Sequence, residues 1–251
     1  MKLKTLITLL FIAAAVSFAT AQKAKHFEIG FQGGYGSSWI VNQNNYGLQE
    51  MDYDFHYGGS WNFQAGYNFN NNIGLFTEVG MSNLGQSYTD TWDKQNVERS
   101  VHLNYLNVPV FFKYSYGESR ARFRLMVGPQ FSFLQKAEQE YTLDGSELNP
   151  ANPKFTPKDK EGNEFYVGEK DITDRYNSMD VAFVLDLGAD IFLMENILYL
   201  SAAARVYYGF MDLNAAPYQM ENYDGNYDPS HNAGGMILLG LHYIIAGKAD
   251  E

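Results

Sequence analysis

Few charged side chains in this chain lie outside its polar stretches, so those that interrupt alternating segments stand out. Glu78, Lys113, Arg124, Asp186, Asp190 and Arg205 each occupy the polar phase of an apolar/polar alternation. Opposite charges on an enclosed polar face must pair, because desolvating one alone costs several kcal/mol. If consecutive strands are neighbours, Glu78 falls beside Lys113, Arg124 beside Asp190, and Asp186 beside Arg205. That set reads as an ion-pair network filling a lumen, with a gated ion path as the alternative.

Nucleophilic and metal chemistry find less support. The histidines are His26, His56, His102, His231 and His242. His56 and His231 fall in expected outer loops, where loop-borne catalysis would need them. No Ser-His-Asp spacing or carboxylate pair accompanies them, so they read as loop and rim residues, and His242 as a lumen residue. Asp224-Gly-Asn-Tyr-Asp228 resembles the start of a calcium loop, yet Pro229 and Gly235 stand where such a loop needs Gly and Glu. An Asx-rich turn is expected there, with calcium at Asp224, Asn226 and Asp228 left open. Cysteine is absent, which removes disulfides, a thiol nucleophile, thiolate metal sites and a lipoprotein anchor. No catalytic residue, metal or cofactor is expected.

The elements that must carry these charges are clearest in the stretch from Trp61 to Met81. Trp61, Phe63, Ala65, Tyr67 and Phe69 alternate with Asn62, Gln64, Gly66 and Asn68, the two-residue period of a strand. Asn70, Asn71 and Asn72 supply the turn, since Asn tolerates left-handed backbone conformations, and a second strand follows. The polar face is small and uncharged, as a cramped interior requires. Aromatics edge the apolar face, as at the two interfaces of a transmembrane barrel. A soluble lipocalin-like barrel is the rival, with the two faces exchanged.

The same alternation recurs at about 26–36, 101–116, 120–133, 181–191, 198–208 and 237–245. Long polar connections at about 40–56, 89–100, 137–177 and 211–232 alternate with tight turns at 70–72, 117–119 and 195–196. An even meander with every second connection short is an up-and-down barrel. Interfacial aromatics would be Trp61, Tyr67, Phe69, Tyr114, Tyr116, Tyr208 and Tyr243. In the last strand Gly240, Tyr243 and Ile245 match the pattern read by the barrel-assembly machinery, with Ile245 in place of the usual final aromatic.

Residues 1–21 read as a secretory signal: Lys2 and Lys4, an apolar run over 6–16, then Ala19-Thr20-Ala21. Cleavage after Ala21 leaves 251 − 21 = 230 residues and takes the formal charge from −11 to −13 through the two lysines. That acidic balance argues against nucleic acid as a partner.

Four motifs in order resemble the PorT-like outer membrane β-barrel family. They are Thr77-Glu-Val-Gly-Met-Ser-Asn-Leu-Gly85, Leu103-Asn-Tyr-Leu-Asn-Val-Pro-Val110 with Lys113-Tyr114, Gly128-Pro129, and the run from Ala203 to Leu213 containing Arg205 and Gly209. Val206 stands where a Tyr after the Arg is more usual. The resemblance covers about residues 22–246 and implies an outer-membrane, eight-stranded barrel; its namesake's part in type IX secretion does not transfer by fold alone.

The expectation is therefore an all-β, eight-stranded antiparallel up-and-down transmembrane β-barrel with a polar plugged lumen, spanning 22–251 as one domain. Its expected role is a non-enzymatic structural or interaction component of the envelope, acting through extracellular loops as an accessory subunit of a secretion or uptake complex. A small-solute porin-like channel is the alternative. Expected partners are outer-membrane lipid, the assembly machinery during biogenesis, and an envelope protein met by the long third loop. There Tyr141, Phe155, Phe165, Tyr166 and Tyr176, mixed with charges, are compatible with a protein-binding surface.

Overall fold

The computed structural model describes residues 25–117, 120–194 and 197–246. The expected signal and parts of two tight turns, at 118–119 and 195–196, lie outside the described residues. The strands are β1 (His26–Val41), β2 (Asp52–Asp54), β3 (His56–Asn68), β4 (Ile73–Trp92), β5 (Gln95–Tyr116), β6 (Ala121–Leu143), β7 (Ser146–Glu147), β8 (Met179–Met194), β9 (Leu198–Gly209) and β10 (His231–Ala246). Eight long strands close a ring in which β1 pairs with both β3 and β10, and β4 with β5. The two short strands lean on the outer ends of β4 and β6.

Register fixes the barrel's dimensions. Phe27 pairs with Tyr67, and partners then run through Leu75, Phe112, Val127, Leu185, Val206 and Gly235 to Ser37. The circuit returns to β1 displaced by 37 − 27 = 10 residues. Eight strands with that stagger tilt by about 40° and leave a backbone radius of about 8 Å. An interior this narrow can be filled by its own side chains.

The faces are arranged as the transmembrane reading requires. Phe63 is 61% exposed on the outside, with Leu187, Leu200 and Leu239 also exposed, whereas Glu78 and Asp186 are fully buried. A lipocalin-like arrangement would reverse this.

Three expectations need correction. The connection expected at 89–100 is almost wholly strand: β4 and β5 meet at Asp93 and Lys94, which adopt left-handed backbone conformations (φ 51° and 72°). The irregular stretch expected from 137 begins only at Asp144, because β6 continues to Leu143. The Asn turn does form, but by another device. Asn70 to Asn72 have no left-handed residue; instead Asn70 Oδ1 accepts from the backbone N–H of Asn72 (2.8 Å) and Ile73 (2.9 Å). This is an Asx turn.

The strand extensions have one cause. On β5, Leu106, Val108, Val110 and Phe112 face outward and Asn107 and Lys113 inward. Above Tyr105 the polarity inverts, so that Val97, Val101 and Leu103 point in and Glu98, Ser100, His102 and Asn104 point out. The strand has left lipid for water, and the solvent outside it has changed from apolar to polar.

Replacing Asn70 with Ala removes both side-chain bonds from this turn. It is expected to cost about 1–2 kcal/mol in denaturant unfolding in detergent micelles, with the folded band still formed on unheated gels.

Candidate functional site: a charged lumen beneath a folded cap

The lumen holds two layers of charge. In the middle of the barrel, Arg205 on β9 donates from Nη2 to both oxygens of Glu78 on β4 (3.0 and 2.9 Å). It also donates from Nε and Nη2 to Asp186 on β8 (2.7 and 2.8 Å). Glu78 further accepts from Gln32 (2.5 Å) and Gln64 (2.8 Å). β4 and β9 are not neighbours in the sheet, so Arg205 and Glu78 tie opposite walls together. Bidentate geometry of this kind is the strongest that a guanidinium makes.

Nearer the chain termini, Lys113 Nζ lies 3.0 Å from Glu28 and 3.4 Å from Asp190, which also approaches Arg124 (3.5 Å). Tyr199 donates to Glu28 (2.8 Å), and its ring stacks on His242 at 4.6 Å. His242 in turn contacts Ser201 Oγ at 2.8 Å. Glycine makes this packing possible: a Cβ on Gly30 would overlap the His242 ring at 2.1 Å. Phe76, Phe111 and Met126 are also buried in the lumen, and Phe111 lies against the Arg205 guanidinium (5.2 Å).

All six expected charges therefore point inward, and the pairs Arg124–Asp190 and Asp186–Arg205 are present. The pair Glu78–Lys113 is not. Glu78 turns to Arg205 across the barrel and Lys113 to Glu28, a carboxylate that sequence reasoning did not include. The signal available was Glu28 itself, one more charge in the polar phase of an alternating segment.

Above the membrane the lumen is covered by a second core. The connections at 42–51, 144–178 and 210–230 fold over the raised β4–β5–β6 sheet, burying Tyr46, Met51, Leu148, Phe155, Val167, Ile172, Tyr176 and Leu213 against Tyr88, Val97, Val101 and Tyr141. Two buried cations organise it. Arg99 lies over the rings of Tyr88 and Tyr141 and donates to Gln139 (3.2 Å) and the Asn44 carbonyl (3.3 Å). Arg175 sits among Tyr46, Phe165 and Tyr218 and donates to the carbonyls of Tyr166 (2.7 Å) and Val167 (3.3 Å). Cross-loop bonds such as Asn44 to Tyr218 O (2.6 Å) and Asn222 to Gln43 O (3.0 Å) join the first and last loops. The expectation that Tyr141, Phe155, Phe165, Tyr166 and Tyr176 form an outward binding surface is overturned. Tyr141, Phe155 and Tyr176 are buried in this core, and Phe165 and Tyr166 pack against it.

The remaining expected residues fall as follows. Trp61, Phe69, Tyr116, Tyr208 and Tyr243 are exposed on the outer wall, and Tyr67 and Tyr114 share that face half-buried. Ile245 also faces outward, whereas Gly240 faces the lumen, where a Cβ would meet His242 and Ser201 at 2.7 Å. His56 opens β3 rather than lying in a loop, against Ser87 (3.3 Å) and His102 (4.9 Å between rings). His231 opens β10 beside the Met211 carbonyl (3.1 Å). Asp224 accepts from the Asn226 backbone (3.0 Å) as an Asx turn, which holds its carboxyl below the usual range. Among the described residues no three His, Asp or Glu side chains gather as metal ligands.

The chain belongs to the outer membrane protein beta-barrel domain family, whose sequence model matches residues 18–215. It is therefore a protein of the bacterial outer membrane. No curated protein matches it. Among solved structures it is similar to Neisserial surface protein A (11% identity, 88% of this chain and 99% of the other, TM-score 0.44). It is also similar to OprG from Pseudomonas aeruginosa (11%, 90% and 99%, 0.44) and to Ail of Yersinia pestis, solved with the heparin analogue sucrose octasulfate (11%, 87% and 99%, 0.36).

Replacing Arg205 with Ala strands two buried carboxylates, and is expected to destabilise the barrel by about 3–5 kcal/mol in denaturant titrations. Adding Glu78→Gln and Asp186→Asn should restore much of that loss. In the cap, burial and the Asp174 carboxylate, to which Tyr218 donates at 2.6 Å, push the Tyr218 phenol up from 10.0 to about 12. Because the folded value is the higher, its contribution to cap stability is complete below pH 10 and disappears as pH rises from 10 to about 12. Tyrosinate absorbance should show several late-titrating phenols, Tyr141, Tyr176 and Tyr227 among them, and one step at about pH 12 that Tyr218→Phe removes and Asp174→Asn shifts back toward 10.0.

Proposed function

We propose that this outer-membrane barrel is a non-conducting, non-enzymatic interaction component of the envelope, of the PorT-like kind its motifs resemble, working through the outer surface of its cap. The observation that carries this reading is the Arg205 clamp. It joins opposite walls in the middle of a barrel whose top is covered by a folded core. Above the clamp, the void among Asn62, Asn107, Arg205 and Tyr207 measures about 20 Å³, close to what one water molecule occupies. A porin-like path would need far more.

Tyr223 is exposed on the last loop, but the surface that the third loop and the raised β5–β6 sheet leave for a partner is polar rather than aromatic. Glu98, Glu140, Asp144 and Glu161 are exposed on it, beside Glu147 and Glu164, which pair with Lys170 (2.7 Å) and Lys158 (3.8 Å), so a partner with a basic face is the chemical complement of the first four. An accessory place in a secretion or uptake complex fits this picture. Planar-bilayer recordings of the purified protein are expected to show no steady conductance, and cross-linking from intact cells should capture a partner that Glu98→Lys/Glu140→Lys releases. A steady open-channel current would overturn the closed-lumen reading.

A further inference from the structure

The lipid-facing wall is not uniformly studded with large side chains. Across β10, β1, β3 and β4, one register row reads Tyr243, Ile29, Ala65, Thr77, and the row above it reads Leu241, Phe31, Phe63, Val79. Phe31 and Phe63 pack ring to ring at 5.1 Å as a raised ridge, while Ala65 and Thr77 are small and exposed beside it. The Phe27–Tyr67 pair, rings 4.7 Å apart, stands on the row below. The result is an apolar groove of about 600 Å³ that ends at Leu198 and Tyr243.

Its chemistry is hydrocarbon throughout. The one hydroxyl on the groove floor, Thr77 Oγ1, donates to the Pro109 carbonyl (2.9 Å), leaving its methyl for whatever lies in the groove. Pro109 has no N–H to offer, and the β4–β5 pairing is interrupted beside it between Thr77↔Val110 and Gly80↔Asn107; the Thr77 bond gives the Pro109 carbonyl a partner in a setting without water. From Leu198 to Thr77 the groove crosses four inter-strand spacings, about 19 Å. It climbs around that side of the barrel at about 40° to the membrane plane, rising about 12 Å from the end that carries the chain termini toward the middle of the bilayer.

We infer that this groove is a binding site for a single acyl chain of an inner-leaflet phospholipid, seated between the Phe31–Phe63 ridge and the floor formed by Ile29, Ala65 and Thr77. The membrane supplies the occupant: this wall lies in hydrocarbon, and filling a preformed groove with a chain gains dispersion contacts that a flat wall does not offer. Tyr243, at the lower end, stands where a headgroup would meet the interface.

The full-length protein reconstituted in vesicles of phosphatidylethanolamine and phosphatidylglycerol, then extracted in mild detergent, should carry one retained phospholipid by native mass spectrometry. Ala65→Phe/Thr77→Phe fills the groove and should reduce that adduct several-fold, whereas Ala204→Phe, on the outer face of β9 away from the groove, should leave it unchanged. Ala65→Leu provides a milder filling variant should the double substitution fail to show heat-modifiable migration. Absence of the adduct from the unsubstituted protein, or equal adducts in all variants, would overturn the site. So would a dimer that the filling substitutions abolish, since the groove would then hold a second copy of this chain.

Discussion

A guanidinium that is almost wholly buried must find its partners inside the protein, and Arg205 finds them on two other strands. Its planar fork meets Glu78 and Asp186 together, and the geometry works only because the barrel has eight strands and a stagger of ten. A wider ring would hold the same side chains too far apart, and a narrower one could not enclose them. The small polar residues around the clamp follow from that constraint. Gln32 and Gln64 supply the remaining donors to Glu78, and Gly30 leaves room for a histidine ring lower down.

The fold was legible because lipid enforces the alternation strictly. Lipid-facing positions in the span are apolar or, like Thr77, keep their polar atom bonded to the backbone, and every second residue of a strand turns into a crowded interior that admits charges only in pairs. The strand order followed from the alternating long and short connections. Partners within the lumen were less legible. Adjacent-strand reasoning finds Asp186 with Arg205 and Arg124 with Asp190, because those strands are neighbours. It cannot find Glu78 with Arg205, because reach across a barrel depends on its diameter and on side-chain length. Lys113 illustrates the same point: its partner Glu28 lies on β1, which does not border β5.

The cap was misread for a different reason. With apolar residues outside throughout, the stretch 89–100 around Val97 reads as a polar connection. It alternates as regularly as the rest once the phase is reversed. The five aromatics of the third loop suffered similarly. Exposed aromatics in a loop suggest recognition, but Tyr141 belongs to β6 and meets Arg99, Phe165 packs on Arg175, and Phe155, Tyr166 and Tyr176 join the core of the cap, so that cation–π contact and burial hold the loops in one arrangement.

The reversal of phase along β5 also sets how deep the molecule floats. Outward apolar side chains run from Leu106 to Tyr116, ten residues apart, and a strand tilted by about 40° covers roughly 25 Å of bilayer normal in that distance. Asn104, the next outward residue above Leu106, would be dragged into hydrocarbon by a thicker membrane. Hydrophobic mismatch thus favours a thin bilayer for this protein, and the boundary is marked by two side chains on a single strand.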